Sequence, residues 1–389
     1  MSSMSTSFHL SWKEIWRNRG RFLLFSLVIA LITLLILFIA ALGEGLGAGN
    51  REYIENLNAE LIVYQDTAQL SIASSRIGCE TRDALRGVNG VADVGAIGFS
   101  SVAIPEAAGR EALDISLIGV EPGKPGEPPV VTGQGLERRN ANEALIDGMV
   151  AEVTGLQVGD RFNIRSPQGG EEEFYMLKVI GVTESQMYGI RPSIFVPIVK
   201  WDEIRPQAAP ARGAEDPACN VAAVKLQDPM GVDIMRQRLV SQVRNIDAVD
   251  LETAYQNTPG YSAQQTTLNT QNGFSLLIGL LVIGGFFQIQ TLQKVPQIGM
   301  LKAIGTPNGV IALASLVQIV IINVLGVLIG GLVTFGLSLV FPPGIPLVFE
   351  LSSAMAAVGS ILVIGPLGGL VSVRSSLRVE PLIALGLGG

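Results

Sequence analysis

Residues 22–42 read FLLFSLVIALITLLILFIAAL, an uninterrupted run with no charged position. Hydrocarbon about 30 Å thick is crossed by about 20 apolar residues in a helix, so this run is long enough to span a bilayer. Basic residues precede it and Ala40 and Ala41 lie near its end, as in a secretory signal. Apolar cores of such signals are only about 7 to 15 residues long, so the run reads as an uncleaved anchor.

Outward from this run the chain divides between two solvents. Upstream, residues 1–21 form an amphipathic segment carrying Lys13, Arg17, Arg19 and Arg21. Downstream, residues 43–272 have the composition of an ordinary soluble domain, and apolar runs then return. Residues 273–293 hold only Gln288 and Gln290 as strongly polar interruptions, residues 309–341 hold Gln318 and Asn323, and residues 351–373 form a fourth run. A Phe-Pro-Pro-Gly turn at Phe341 to Gly344 separates the last two. The 16% of charged residues in the 389-residue chain falls short of the roughly 25% usual in soluble domains. The fold class expected is an α-helical membrane protein with four transmembrane helices and an α+β extracytoplasmic domain between helices 1 and 2.

Orientation follows from basic residues in the short flanks. Arg17 to Arg21 before the first span, Lys294 and Lys302 between spans two and three, and Arg374 and Arg378 after span four mark three inner segments. Both termini are then cytoplasmic, including residues 374–389, and the protein is a multi-pass component of the cell membrane. Residues 44–271 hold 19 basic and 31 acidic residues and belong outside. Cys79 and Cys219 fall there, where either a disulfide or two free buried thiols is compatible with the sequence.

In the outer region Ile54, Leu57 and Leu61 recur at helical spacing, suggesting that span one continues as an amphipathic stalk. Strand patterns fall at Glu60 to Gln65, Asp114 to Val120, Arg161 to Ile164, Phe174 to Val182, Ile194 to Ile198 and Val221 to Leu226. Helical patterns fall at Thr81 to Leu85, Met149 to Thr154 and Val232 to Val243, and Glu121 to Pro129 reads as the loosest loop. The uncharged polar stretch 262–272 suits a second stalk leading into span two.

Catalysis has no foothold in the sequence. His9, the only histidine, lies in the inner N-terminal segment, which excludes histidine triads and histidine metal clusters outside. Glu171, Glu172 and Glu173 follow Gly169 and Gly170 and read as a solvated hairpin tip. No GxxxxGK[ST] phosphate loop occurs, so any ATPase must be a separate subunit. Neither a catalytic residue nor a metal site is assigned, no cofactor is expected in this chain, and no nucleic-acid partner is expected.

Gly326 and Gly330 form a GxxxG pair in span three, and Gly365, Gly368 and Gly369 cluster with Pro366 in span four. Small residues let helix backbones approach closely in lipid, whether within one chain or between two. The glycine-rich run Gly43 to Gly49 follows a membrane helix rather than a strand, which favours helix packing over nucleotide binding.

Between spans two and three, residues 294–308 carry Ile298, Leu301 and Ile304 at helical spacing, with Gly305 and Pro307 as terminators and no acid. This pattern predicts a short amphipathic helix on the inner face. It could rest on lipid headgroups or dock into a partner.

Gln297-Ile298-Gly299-Met300-Leu301-Lys302-Ala303-Ile304-Gly305-Thr306 resembles the coupling-helix hallmark E-I-G-V-L-R-A-I-G-A of FtsX-like, MacB-type ABC permeases, with Gln297 in place of the acid. The resemblance extends over the whole chain. Gly155-Leu156-Gln157-Val158-Gly159-Asp160 and Ile194-Phe195-Val196-Pro197 are similar to the family's outer domain, and Arg378-Val379-Glu380-Pro381-Leu382 to its R-x-x-P-x-x-A-L close. Within the family, Arg19-Gly20-Arg21-Phe22, Pro259-Gly260-Tyr261-Ser262 and Thr291-Leu292-Gln293-Lys294 look most like the HrtB-type haem-export permeases.

The resemblance implies mechanotransmission. Two copies of an ATPase holding ATP and Mg would displace a coupling site at Gln297, Ile298, Gly299, Leu301, Lys302, Ala303 and Gly305. A second permease chain, as a homodimer, would complete the pore for an amphiphilic substrate, exported haem in the HrtB case. With no histidine outside, Glu44, Tyr53 and Tyr261 are the candidate oxygen ligands for such a substrate, since proteins also hold haem iron through tyrosine. The alternative implied by the family is a non-transporting signalling or scaffold protein that controls a cell-envelope partner.

Overall fold

A computed structural model describes residues 19–105, 112–184, 186–207, 218–258, 261–340 and 347–377. The amphipathic segment upstream of Arg19, the Phe341 to Gly344 turn and the Arg378 to Leu382 motif therefore lie outside the described residues. The chain divides into two compact units, residues 1–45 with 266–389, and residues 46–265.

Helix α1, Arg19–Glu55, begins in the first unit and ends in the second. It stops six residues before the strand that contains Leu61, so Ile54 and Leu57 do not share one helical face with Leu61 as the spacing suggested. Ile54 and Leu57 are instead fully buried at the helix end.

The second unit is a ten-stranded mixed sheet with short helices, and its elements follow in chain order. β1 (Leu61–Gln65) precedes α2 (Cys79–Arg86), β2 (Val91–Ile104), β3 (Leu113–Val120), β4 (Val130–Gly133), β5 (Glu143–Asp147) and α3 (Gly148–Thr154). Then come β6 (Arg161–Gln168), β7 (Glu171–Thr183), β8 (Ser193–Pro197), α4 (Ile198–Ile204), β9 (Val221–Leu226), α5 (Val232–Gln242), β10 (Ile246–Asp250) and α6 (Leu251–Gln256). The strand order is β10-β1-β9-β2-β3-β8-β5-β7-β4, with β6 pairing β2 and β7. Apolar side chains on the two faces make two cores, one around Leu61, Val94 and Leu117, the other around Ile62, Ile97 and Phe195. Adjacent residues of β1 thus feed opposite cores, as the period-2 pleat requires.

The segment read as the loosest loop, Glu121 to Pro129, is pinned. Glu121 is 4% exposed. Its carboxylate accepts from Arg86 Nη2 at 2.8 Å, Arg139 Nη2 at 3.0 Å and Ala96 N at 3.2 Å, with Arg82 Nη1 at 3.6 Å. A carboxylate this buried is stable only with such compensation. Gly126 N donates to Leu57 O, and Gly126 takes φ +103°, a conformation that disfavours a side chain. Cys219 is a buried free thiol pushed up to about 12 by burial.

The first unit holds the lower part of α1 together with most of α7 (Tyr261–Ala303), α8 (Asn308–Ser338) and α9 (Leu351–Leu377). Among the described residues these are the four helices long and apolar enough to cross a membrane. Leu27, Leu281, Leu332 and Val363 point outward, each at least half exposed, as lipid-facing positions do. Phe22, Ile29, Ile283, Phe287, Ile319, Ile322 and Val373 form the interior.

Glycines set how closely these helices approach. A Cβ on Gly326 would sit 2.5 Å from the Ile29 side chain, and one on Gly330 would sit 2.6 Å from Ala30 O and 2.7 Å from Thr33 Cβ. The GxxxG face of α8 is thus filled by α1 of the same chain. Gly368 meets Gly284 backbone to backbone, with a Cβ 3.0 Å from Leu280 O, so the α9 cluster is also used within the chain. Without water to exclude, such close backbone contact is what holds membrane helices together.

Candidate functional site

The 294–308 segment is not a separate helix. Its residues 294–303 form the last turns of α7, which runs unbroken for 43 residues through Pro296. Proline removes one backbone donor, a loss that transmembrane helices tolerate when neighbouring groups compensate. The helix ends where Gly305, at φ +91°, donates to Lys302 O and Thr306 N donates to Leu301 O, a Schellman cap.

This geometry divides the expected coupling residues. Ile298 and Gly299 are buried in the helical unit, Leu301 and Lys302 are half-buried, and Gln297, Ala303 and Gly305 are exposed. The predicted apolar face is therefore split, because Ile298 turns inward while Ile304 is 75% exposed. The outward stripe is Gln297, Met300 and Ile304, spaced i, i+3, i+7 on one helical face. Nothing in the sequence singles out Met300, because hydrophobicity alone does not tell a bundle-facing residue from a partner-facing one. Lys302 Nζ donates to Leu377 O at 2.7 Å, the last turn of α9, and Lys294 Nζ donates to Gln318 Oε1 at 2.8 Å.

At the other end of α1, Tyr53 is 1% exposed. Its hydroxyl donates to Gly126 O at 2.8 Å, and its ring lies against Phe99, Phe195 and Tyr188 at centroid distances of 5.7, 5.3 and 6.5 Å. Burial holds the Tyr53 phenol well above its usual pKa. Tyr53, a candidate ligand in the sequence, is thus a core residue whose oxygen is engaged by Gly126 O. Glu44, in the other unit, is half-buried and accepts from Ser353 Oγ at 3.5 Å. Tyr261 is half-buried with its ring 5.7 Å from that of Tyr255.

Further contacts seat α1 in the outer domain. Ile190 N donates to Gly49 O at 3.0 Å and Met187 N donates to Glu52 Oε2 at 3.2 Å. Both come from the turn before β8, whose Gly189-Ile190 pair has no distinguishing pattern in the sequence. Among the described residues no group of three or more His, Cys, Asp or Glu side chains is placed to hold a metal.

Residues 22–242 match the MacB-like periplasmic core domain and residues 272–381 match the FtsX-like permease C-terminal domain. The chain belongs to the MacB/FtsX family of ABC transporter permeases. A Staphylococcus haemolyticus protein named hemin transport system permease protein HrtB is 26% identical to this permease over 97% of its chain and 99% of the relative. The Wolinella succinogenes macrolide export ATP-binding/permease protein MacB is 30% identical over 28% of the permease and 17% of that protein. The periplasmic region of MacB from Actinobacillus actinomycetemcomitans superposes with a TM-score of 0.36 at 12% identity, covering 53% of the permease and 97% of that region. The permease is thus a membrane protein whose extracytoplasmic domain sits in sequence between its first and second membrane helices.

Proposed function

We propose that this permease is the membrane half of an ABC exporter that passes motion from a separate ATPase to the outer domain, and that its cargo is haem or a comparable amphiphile. The observation that carries the reading is helix continuity. α1 and α7 run for 37 and 43 residues, about 55 and 65 Å at 1.5 Å per residue, without a break between a membrane span and the residues beyond it. A hydrogen-bonded helix transmits axial displacement instead of absorbing it in a loop.

The stripe Gln297, Met300 and Ile304 is the docking surface for the ATPase on the cytoplasmic side, with Ala303 beside it. Lys302 acts differently, tying this end of α7 to α9. Two ATPases and a second permease chain complete the machine. Because Gly326, Gly330 and Gly368 are occupied within the chain, the partner permease meets other faces. The haem assignment draws on the hemin-transport relatives, and Glu44 and Tyr261 are each taken singly as candidate oxygen ligands for it.

The test reconstitutes the permease with its ATPase and measures haemin-stimulated hydrolysis together with the Soret band. Haemin should shift the band and accelerate hydrolysis, and Glu44→Ala with Tyr261→Phe should blunt both. Ala303→Trp, on an exposed position, should uncouple hydrolysis from haemin while leaving the Soret shift intact. No response to haemin in the wild-type complex defeats the cargo assignment, and wild-type coupling in Ala303→Trp defeats the docking assignment.

A further inference from the structure

The outer domain contains an open cleft of about 350 Å³ lined by Phe99, Ser100, Ser101, Ser116, Tyr188 and Arg191, with Ile72 at its edge. Small-molecule sites combine an apolar floor with a few convergent polar groups, and this volume lies at the lower end of their range. The floor is the Phe99–Tyr188 pair, ring centroids 4.4 Å apart. The rim carries one guanidinium, Arg191, which among the described residues pairs with the 70% exposed Asp114 at 3.9 Å, a weak solvent-screened pairing.

The walls are fixed. The buried Asn220 accepts from Phe99 N at 2.8 Å and donates to Ile72 O at 2.9 Å, joining the floor to the edge. Ser116 Oγ donates to Tyr188 O at 2.7 Å. Tyr188 and Arg191 are presented by a tight turn in which their backbones bond to each other, with Gly189 and Ile190 between them at φ +64° and +61°. Positive φ is strained for a β-branched residue, and such strain persists only where surrounding contacts enforce it. Here the enforcing contact is Ile190 N to Gly49 O of α1.

We infer that this cleft binds a small planar aromatic carboxylate, its ring stacked on Phe99 and Tyr188 and its carboxylate held by Arg191. An aromatic floor selects a flat ring. A planar guanidinium favours a carboxylate over a neutral polar group. The Ser101 hydroxyl, on the same face of β2 as Phe99, completes the polar side. Tyr53 of α1 packs edge-to-face against both floor rings, so the site is built on the helix that enters the membrane.

The experiment is calorimetric titration of the full-length permease in detergent with 2-naphthoate, subtracting empty micelles, and with 2-naphthalenemethanol and cyclohexanecarboxylate as probes bearing only the ring or only the charge. Wild type should bind one 2-naphthoate per chain, at least tenfold tighter than either control. Arg191→Gln should weaken 2-naphthoate about tenfold or more while leaving the alcohol unchanged, as loss of a charge-assisted hydrogen bond predicts. Ser101→Trp, at an exposed position, should fill the cleft and abolish binding. Absence of saturable 2-naphthoate binding, or binding that survives Ser101→Trp, overturns the site. Undiminished affinity in Arg191→Gln, or equal binding of the alcohol, overturns the carboxylate assignment. None of these readouts uses haemin or ATP hydrolysis, so they stand or fall separately from the export function.

Discussion

Replacing Gly330 by alanine tests whether the GxxxG face of α8 is an intrachain seam. The added methyl would lie 2.6 Å from Ala30 O and 2.7 Å from Thr33 Cβ, where ordinary contact begins at 3.4 Å. Both obstacles belong to α1 and one is backbone, so rotamer changes cannot relieve the clash. The helices must separate by about 0.7 to 0.8 Å, and overpacking of this kind costs about 1 to 3 kcal/mol. Separation also loosens the packing of Gly326 on Ile29, one turn away, which places Gly330→Ala at the upper end. Gly331 is the internal control, since a Cβ there meets nothing within 4 Å. Gly331→Ala should be neutral or gain up to about 1 kcal/mol of helix propensity. Denaturant titration in mixed micelles compares the two, with size-exclusion light scattering recording oligomeric state. Equal stability of the two variants would refute the seam, and so would a Gly330→Ala variant whose only change is loss of a dimer.

Asp147 caps α3 and accepts from Val150 N and Ser193 N, each at 2.7 Å, yet burial raises its pKa to about 6. The folded state therefore holds this proton more tightly than the unfolded chain, whose carboxyl titrates near about 3.9. Stability of the outer domain should be fully supported below about pH 4 and should fall by up to about 3 kcal/mol as pH rises to about 6, with Asp147→Asn flattening that dependence in chemical unfolding curves. Tyr53→Phe should cost the outer domain about 1 to 2 kcal/mol by orphaning Gly126 O while leaving any haemin spectrum unchanged; a lost Soret shift would restore Tyr53 as a ligand. A single cysteine at Gly170, an exposed hairpin tip, should react with impermeant maleimide in intact cells whereas one at Pro296 should not, and the opposite pattern would invert the topology.

Bilayer-length apolar runs are legible in sequence because lipid demands an unbroken run of about 20 apolar residues, a signal with no need of a partner element to show itself. β2 is hidden for the opposite reason. Its fourteen residues include Gly95 and Gly98, small because Pro125 packs over the first and the Trp201 indole over the second. Glycine in a strand weakens the local pattern while marking a close approach that only the fold reveals. β5 and β10 are five residues each and draw their stability from neighbours distant in sequence. The role of Glu121 is invisible in the sequence because its three arginines lie 35 to 39 residues upstream and 18 downstream, separations that leave no local signature. At the candidate site the residues are recognisable but their orientation is not. Tyr53 and Ile298 look available in sequence, and both face cores.

Because α1 is a single helix with buried side chains near each end, its residue count sets the helical phase between those two positions, which a loop would leave undefined. Inserting one residue between Ile29 and Tyr53 would turn the two positions by about 100° relative to each other and shift them 1.5 Å along the axis. Exchanging residues on the lipid face of α1 while keeping their number preserves that phase, whereas a helix-breaking insertion between Ile29 and Tyr53 would abolish it and leave the contacts of each seat within its own unit in place.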